Sequence, residues 1–304
     1  MGLERRKLGR TGLSVTVLGF GAMDLGGPPA ATPISDDEAA RVLNAVLDAG
    51  VNFIDTAVCY GASEARIGQA IAHRRHEFIL ATKCGCVPGE AMSAQHVYTA
   101  ANVRAGVEHS LRAMRTDHLD LVQIHSSITP AQVQGDGAMA ELLKMKDEGK
   151  LRFIGISGIL PELHAQIDSG MFDVVQVPYS ALQREHEAAM AKASSAGLGV
   201  IVRGGVARGA PTDWNKRYYM LSGGELSSRW EQAQLDDLLD GMSRIEFMLR
   251  FAISSPDLST AIVGTKNVEH VRGNLDAALK GPLPPGVVAE AKRRLDVTGS
   301  RPTT

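Results

Sequence analysis

Asp55, Tyr60, Lys83 and His125 are the side chains of this 304-residue sequence best suited to moving a proton. Each stands at or just past the end of a short apolar run: VNFIDTA and then CY, FILATK, and LDLVQIH. A free phenol ionises near pH ~10 and is a poor acid at neutral pH, but an adjacent ammonium favours phenolate and is expected to lower that value. Asp55 paired with Lys83 would keep the lysine charged and oriented. Tyr60 would then be a usable proton donor to a carbonyl oxygen gaining negative charge, with His125 hydrogen-bonded to the same oxygen. Lys83 also admits a second chemistry, Schiff-base formation as in lysine aldolases.

For these four residues to meet, their apolar runs must be neighbours. Eight such runs, rich in β-branched residues, end at Gly21, Ala57, Lys83, His125, Ser157, Ser180, Gly204 and Gly264. Most are continuously apolar, as parallel strands buried on both faces should be. Helical patterns lie between them, and several finish at glycines suited to a helix C-terminus, among them Gly50, Gly149, Gly170 and Gly197. Eight strands alternating with eight helices, with no Pro/Ser-rich linker, predict one α/β domain over residues 1–304, a (β/α)8 TIM barrel. RRKLGRTGLSVT reads as an N-terminal β-hairpin turning at Thr11 and Gly12 and closing the bottom of the barrel. A doubly wound open sheet fits less well, because LGFGAMDLGG lacks the GxGxxG spacing and an immediate helix. In barrels the chemistry gathers at the C-terminal strand ends, which puts Asp55, Lys83, His125, Ser157 and Gln176 at one mouth, with Tyr60 just beyond.

Composition narrows the partners. Thirty-two basic against 34 acidic residues leave a formal charge of −2, with no field for gripping nucleic acid or an anionic membrane. No apolar run approaches the roughly 20 residues of a membrane helix, and the first ten residues lack a leader pattern, so a cytoplasmic location is expected. Three cysteines argue against a disulfide framework. Cys59, Cys84 and Cys86, taken with His73 or His76, lack the paired, repeated spacing of structural zinc sites, so no metal is expected. Cys59 reads as a small buried neighbour of Tyr60.

NFIDTAVCYGASEARIG, LATK, LDLVQIH, FIGISG, VVQVPYSAL and IVGTKNVEHVRGNL, in this order, resemble the signature blocks of the aldo-keto reductases. The likeness spans essentially the whole chain, from LGRTGLSV to VRGNL. It implies NADPH-dependent reduction of an aldehyde or ketone, or the reverse oxidation, with Asp55, Tyr60, Lys83 and His125 as the catalytic tetrad. It also implicates Ser157 and Gln176 in holding the nicotinamide carboxamide. Gly158 stands where the family has an asparagine, and Arg203 where it has an aromatic that stacks on the nicotinamide. A guanidinium can stack on a flat ring but repels an oxidised, positively charged one, which would favour the reduced cofactor. Residues 264–274 lead from the last strand into a helix whose N-terminus suits phosphate; within them Gly264, Thr265 and Lys266 line the approach. His270 replaces an arginine common in the family, Gly273 an acidic residue, and Asn274 matches the position that reads adenine. Lys266, at the expected 2′-phosphate position, favours NADP(H) over NAD(H).

Aromatic residues make up only 5% of the chain, yet four cluster in the long connection after the seventh strand, at Trp214, Tyr218, Tyr219 and Trp230. Residues 210–241 are too many for an ordinary barrel turn, and long loops are commonly functional. These aromatics, with Met23 and Asp24 after the first strand, are expected to line a pocket for a small-molecule carbonyl substrate; the alternative is that the rings anchor the loop to the barrel. Two other functions stay open: a nucleotide-sensing or scaffold protein of the same fold with little turnover, and a Lys83 Schiff-base lyase.

Overall fold

In the computed structural model, which describes residues 2–28, 31–90, 95–209 and 225–303, the eight apolar runs become eight parallel strands paired in sequence order. They are β3 (Leu18–Gly21), β4 (Phe53–Asp55), β5 (Ile79–Cys84), β6 (Leu119–His125), β7 (Leu151–Ser157), β8 (Val174–Pro178), β9 (Gly199–Arg203) and β10 (Thr260–Val263). Pairing of β10 with β3 closes the barrel. The expected hairpin precedes it, with β1 (Arg5–Lys7) antiparallel to β2 (Ser14–Thr16). Leu8 at its turn is fully buried inside the barrel floor with Phe53, Leu121, Val174 and Ile201. Gly9, at φ 52°, makes that docking possible, because a Cβ there would sit 2.2 Å from the Gly199 amide nitrogen.

The outer layer begins with α1 (Asp36–Asp48), started by a Ser35/Glu38 capping box, and α2 (Ser63–Ile71). It continues with α3 (Ala100–Ala113), α4 (Pro130–Gly135), α5 (Ala138–Asp147), α6 (Glu162–Asp168) and α7 (Glu187–Ser195). Then come α8 (Glu225–Gln232), α9 (Arg244–Ile253), α10 (Val268–Leu279) and α11 (Pro285–Asp296). Apolar helix faces and the outward residues of the strands form the main core; the inward residues form a second, smaller one at the floor. The helices α4, α8 and α11 are additions to the eight-fold pattern, and α4 owes its start to a Thr129/Gln132 capping box inside the loop after β6. Among the described residues no helix is long and apolar enough to cross a membrane.

Register decides what meets at the mouth. His125 on β6 lies opposite Ser157 on β7, and Ser157 opposite Gln176 on β8. One step deeper, Lys83 on β5 lies opposite Gln123 on β6. At the other end of the barrel a cleft of about 610 Å³ opens between Arg5, His73, His76 and His118, at the N-terminal ends of the strands and away from all of these residues.

Candidate active site

Asp55 closes β4 and Lys83 lies near the end of β5; both are buried. The Lys83 ammonium ion-pairs with Asp55 Oδ1 and donates to the Thr56 carbonyl at 2.8 Å. Asp55 Oδ2 accepts from Gln123 Nε2 at 2.8 Å and Gln176 Nε2 at 2.9 Å. A buried ion pair persists only when its remaining hydrogen-bonding capacity is satisfied, and the two glutamines satisfy this one. Tyr60, in the turn after β4, has its ring 5.0 Å from the Lys83 ammonium. Its ring meets the His125 ring nearly perpendicular, centroid to centroid 5.8 Å at 84°. The barrel therefore brings Asp55, Tyr60, Lys83 and His125 together as the strand ends suggest.

Burial sets their protonation. It pulls the Lys83 ammonium down, but the charge of Asp55, the neighbouring Tyr60 and their hydrogen bonds outweigh it and leave the lysine above its ordinary range. For Tyr60 the sign differs from the sequence expectation. Lys83 and Arg203 do draw the phenol down, but burial, with help from the Asp55 charge, pushes it up further, so Tyr60 stays protonated at neutral pH. Burial first, then the cations of Lys83 and Arg203, hold His125 well below its usual value and keep the imidazole neutral.

Several participants carry no signature of their own in the sequence. Gln123 shows only a positional hint, two residues before His125 and so on the same face of β6. Glu64, in the first turn of α2, is a buried carboxyl that accepts from Thr82 Oγ1 at 2.6 Å and Ser110 Oγ at 2.7 Å, and burial raises it to about 7. Cys84 faces the helical layer, where burial pushes its thiol up to about 12. The turn at Gly85, φ 102°, aims Cys86 the other way, toward Cys59 and His125.

On the next strands along the rim, Ser157 Oγ donates to Gln176 Oε1 at 3.2 Å. At Gly158 a Cβ would lie 2.5 Å from Gln166 Oε1, so the Gln166 amide occupies the space that a side chain at this position would need. That oxygen is buried without a hydrogen-bond partner, while Gln166 Nε2 donates to the Ile128 carbonyl at 2.6 Å. Arg203 ends β9, and its charge reaches both Tyr60 and His125. Gly264 is exposed beyond β10, where a Cβ would lie 2.7 Å from the Gly21 carbonyl oxygen and 3.3 Å from Asp24 Oδ2. Thr265 Oγ1 lies 3.2 Å from His270 Nδ1, and Asn267 caps α10 by accepting from the Glu269 amide at 2.9 Å. Lys266 reaches back to Thr32 Oγ1 and the Pro33 carbonyl, and Asn274 is partly exposed within α10. A glycine-only approach, a capped helix start and an unpartnered amide oxygen near Ser157 fit a nicotinamide dinucleotide.

Met23 and Asp24 sit partly exposed in the 3-10 turn Ala22–Gly26 directly after β3. Trp214, Tyr218 and Tyr219 lie outside the described residues. Trp230 does not line the pocket. It is fully buried in α8, donates Nε1 to Asp236 Oδ1 at 3.0 Å and packs edge-on against Phe247 at 5.6 Å, so it anchors the connection to the barrel.

The sequence profile of the Aldo/keto reductase family matches residues 17–295, and the chain belongs to that family. It is 28% identical over 288 residues to the L-galactose dehydrogenase of Arabidopsis thaliana, covering 90% of this chain and 88% of that one. The NADH-specific methylglyoxal reductase of Escherichia coli is 26% identical over 307 residues, with 90% and 93% covered. Among solved structures, the holo form of the aldo-keto reductase AKR11C1 from Bacillus halodurans superposes with a TM-score of 0.82 at 27% identity, over 96% of each chain. The protein is thus a carbonyl-reducing oxidoreductase that depends on a nicotinamide cofactor, NAD(P)H.

Proposed function

We propose that the enzyme reduces an aldehyde or ketone to the alcohol with NADPH, Tyr60 supplying the proton, and that the direction is reversible. The carrying observation is the buried Lys83–Asp55 pair beneath a protonated Tyr60, with a neutral His125 packed at right angles to the Tyr60 ring. The bound reduced nicotinamide would supply hydride to the carbonyl carbon. Tyr60 enters the reaction holding its proton, and as it passes that proton to the carbonyl oxygen, the Lys83 ammonium stabilises the phenolate left behind. Asp55, held by Gln123 and Gln176, keeps Lys83 charged and aimed. His125 offers a neutral N–H to align the same oxygen.

Ser157 and Gln176 would hold the carboxamide, with Gln166 Oε1 supplying an acceptor beside Gly158. Gly264, Thr265, Lys266 and the start of α10 would take the phosphates, and His270 and Asn274 the adenosine end. Lys266 at the 2′-phosphate position supports NADP(H) over NAD(H). A Schiff base on Lys83 is disfavoured, since an ammonium held above its ordinary range by a buried carboxylate is a poor nucleophile.

Tyr60→Phe tests the reading by NADPH absorbance across an aldehyde panel, with cofactor binding followed by fluorescence. Turnover should fall by at least about 100-fold while NADPH binding persists. Undiminished turnover would overturn the assignment of the proton donor. NADPH binding with no turnover by the unaltered enzyme on any carbonyl would point to the nucleotide-sensing alternative.

A further inference from the structure

Beside the tetrad, two thiols and an imidazole converge on one point. Cys86 Sγ lies 2.8 Å from Cys59 Sγ, and His125 Nδ1 lies 3.2 Å from the first and 3.6 Å from the second. All three donor atoms fall within 4.8 Å of one another. Both cysteines are buried, His125 opens partly to the mouth, and Ala57 and Val58 pack apolar walls around the sulfurs. Carbonyl reduction by the tetrad uses neither thiol.

We propose that Cys59, Cys86 and His125 form a binding site for a thiophilic divalent cation, with Zn2+ as the probe, and that its occupancy switches off carbonyl reduction. Two sulfurs and an imidazole nitrogen suit zinc and disfavour Mg2+ or Ca2+, which take oxygen ligands. With metal–sulfur bonds of ~2.3 Å and metal–nitrogen bonds of ~2.0 Å, tetrahedral angles put sulfur and nitrogen roughly 3.6 Å apart and the two sulfurs roughly 3.8 Å apart. The sulfur–nitrogen separations already approach that spacing, so side-chain rotation need only part the two sulfurs by about 1 Å. Binding forms two metal–sulfur bonds and one metal–nitrogen bond and releases the two thiol protons to solvent. The product, one dication with two thiolates, is neutral overall and so adds no net charge beside Lys83 and Arg203. A fourth position stays open to water or a pocket ligand. The Cys59–Tyr60 peptide link and the use of His125 as a ligand tie occupancy to catalysis; that part rests on the proposed role of the tetrad, whereas cation binding does not.

Co2+ added to the full-length, phosphine-reduced protein should give thiolate-to-cobalt charge-transfer absorption and tetrahedral d–d bands at one equivalent, both erased by Zn2+. Cys86→Ser should abolish the charge-transfer band or weaken Zn2+ binding at least tenfold, whereas Cys84→Ser, facing the helical layer, should keep it. In the unaltered enzyme Zn2+ should inhibit carbonyl reduction and a chelator should restore it. Absence of thiolate–cobalt absorption, or its full persistence in Cys86→Ser, would overturn the site. Stoichiometric binding without inhibition would overturn the switch alone. A cobalt spectrum in a protein that reduces no carbonyl would leave the site standing and count against the function of the tetrad.

Discussion

Replacing Glu64 with glutamine would reveal how strongly burial governs ionisation next to the tetrad. The carboxyl accepts two hydroxyl hydrogen bonds through Oε1, while Oε2 is buried without a partner. Burial raises its pKa from 4.5 to about 7, against the pull of Thr82, Ser110 and Lys83. A carboxyl raised on folding binds its proton more tightly in the native state than in the unfolded chain. The stabilisation is therefore complete below pH ~4.5 and is lost as pH rises through about 7. At ~1.4 kcal/mol per pH unit, the interval between the two values is worth about 3 kcal/mol, of which roughly 2 to 3 kcal/mol falls between pH 5 and pH 8. Glutamine keeps the acceptor oxygen and never ionises, so the stability of Glu64→Gln relative to the unaltered protein should climb by that amount over the interval. With an unfolding entropy of ~2.1 cal/mol/K per residue, a chain of this length gains roughly 1.6 °C per kcal/mol, so the Tm of the variant relative to the unaltered protein should rise by about 4 °C over the interval. Calorimetry of both proteins at matched ionic strength and several pH values is the assay. A Tm difference that stays constant from pH 5 to pH 8 would show that Glu64 ionises like an exposed carboxylate and would refute the reasoning.

Three further outcomes follow from named contacts. Lys266→Ala should lower kcat/KM with NADPH about tenfold or more and leave NADH nearly unchanged, because one phosphate ion pair is lost; equal losses with both cofactors would remove Lys266 from the 2′-phosphate site. The Arg203 guanidinium should make NADPH bind more tightly than NADP+, and Arg203→Phe should narrow that gap; equal Kd values for the two forms in the unaltered enzyme would sink the idea. Leu8→Ala should cost about 2 to 5 kcal/mol in a denaturant titration, since the side chain fills the barrel floor; a cost under about 1 kcal/mol would mean that the hairpin does not plug the barrel.

The barrel was legible because most of its strands are continuous apolar runs and several of its helices end at glycines, both local signals that read out one repeating unit. The meeting of Asp55, Tyr60, Lys83 and His125 was legible for a related reason: Asp55 and His125 end strands, Lys83 lies one residue from the end of its own, and parallel strands all end at the same rim. The short helix α4 escaped, since six residues inside a loop leave too little periodicity to detect. Trp230 reads as a pocket residue from sequence because loop membership says where a residue lies along the chain and nothing about which way its ring turns; its ring packs inward against Phe247 in the core, and its N–H reaches out to Asp236.

Residue order by itself determined the barrel, the hairpin under it and the rim on which the chemistry gathers, because hydrophobic period and turn chemistry are short-range. Charge and contact belonged to the tertiary structure. That burial outweighs Lys83 at Tyr60, that Gln123 and Gln176 share one carboxylate oxygen, and that Gln166 occupies the space beside Gly158 all depend on distances between distant segments. The same holds for Cys59, Cys86 and His125, whose spacing along the chain shows no ligand pattern until β4, β5 and β6 stand side by side. Desolvation is a property of the packed surroundings, and only the closed barrel supplies them.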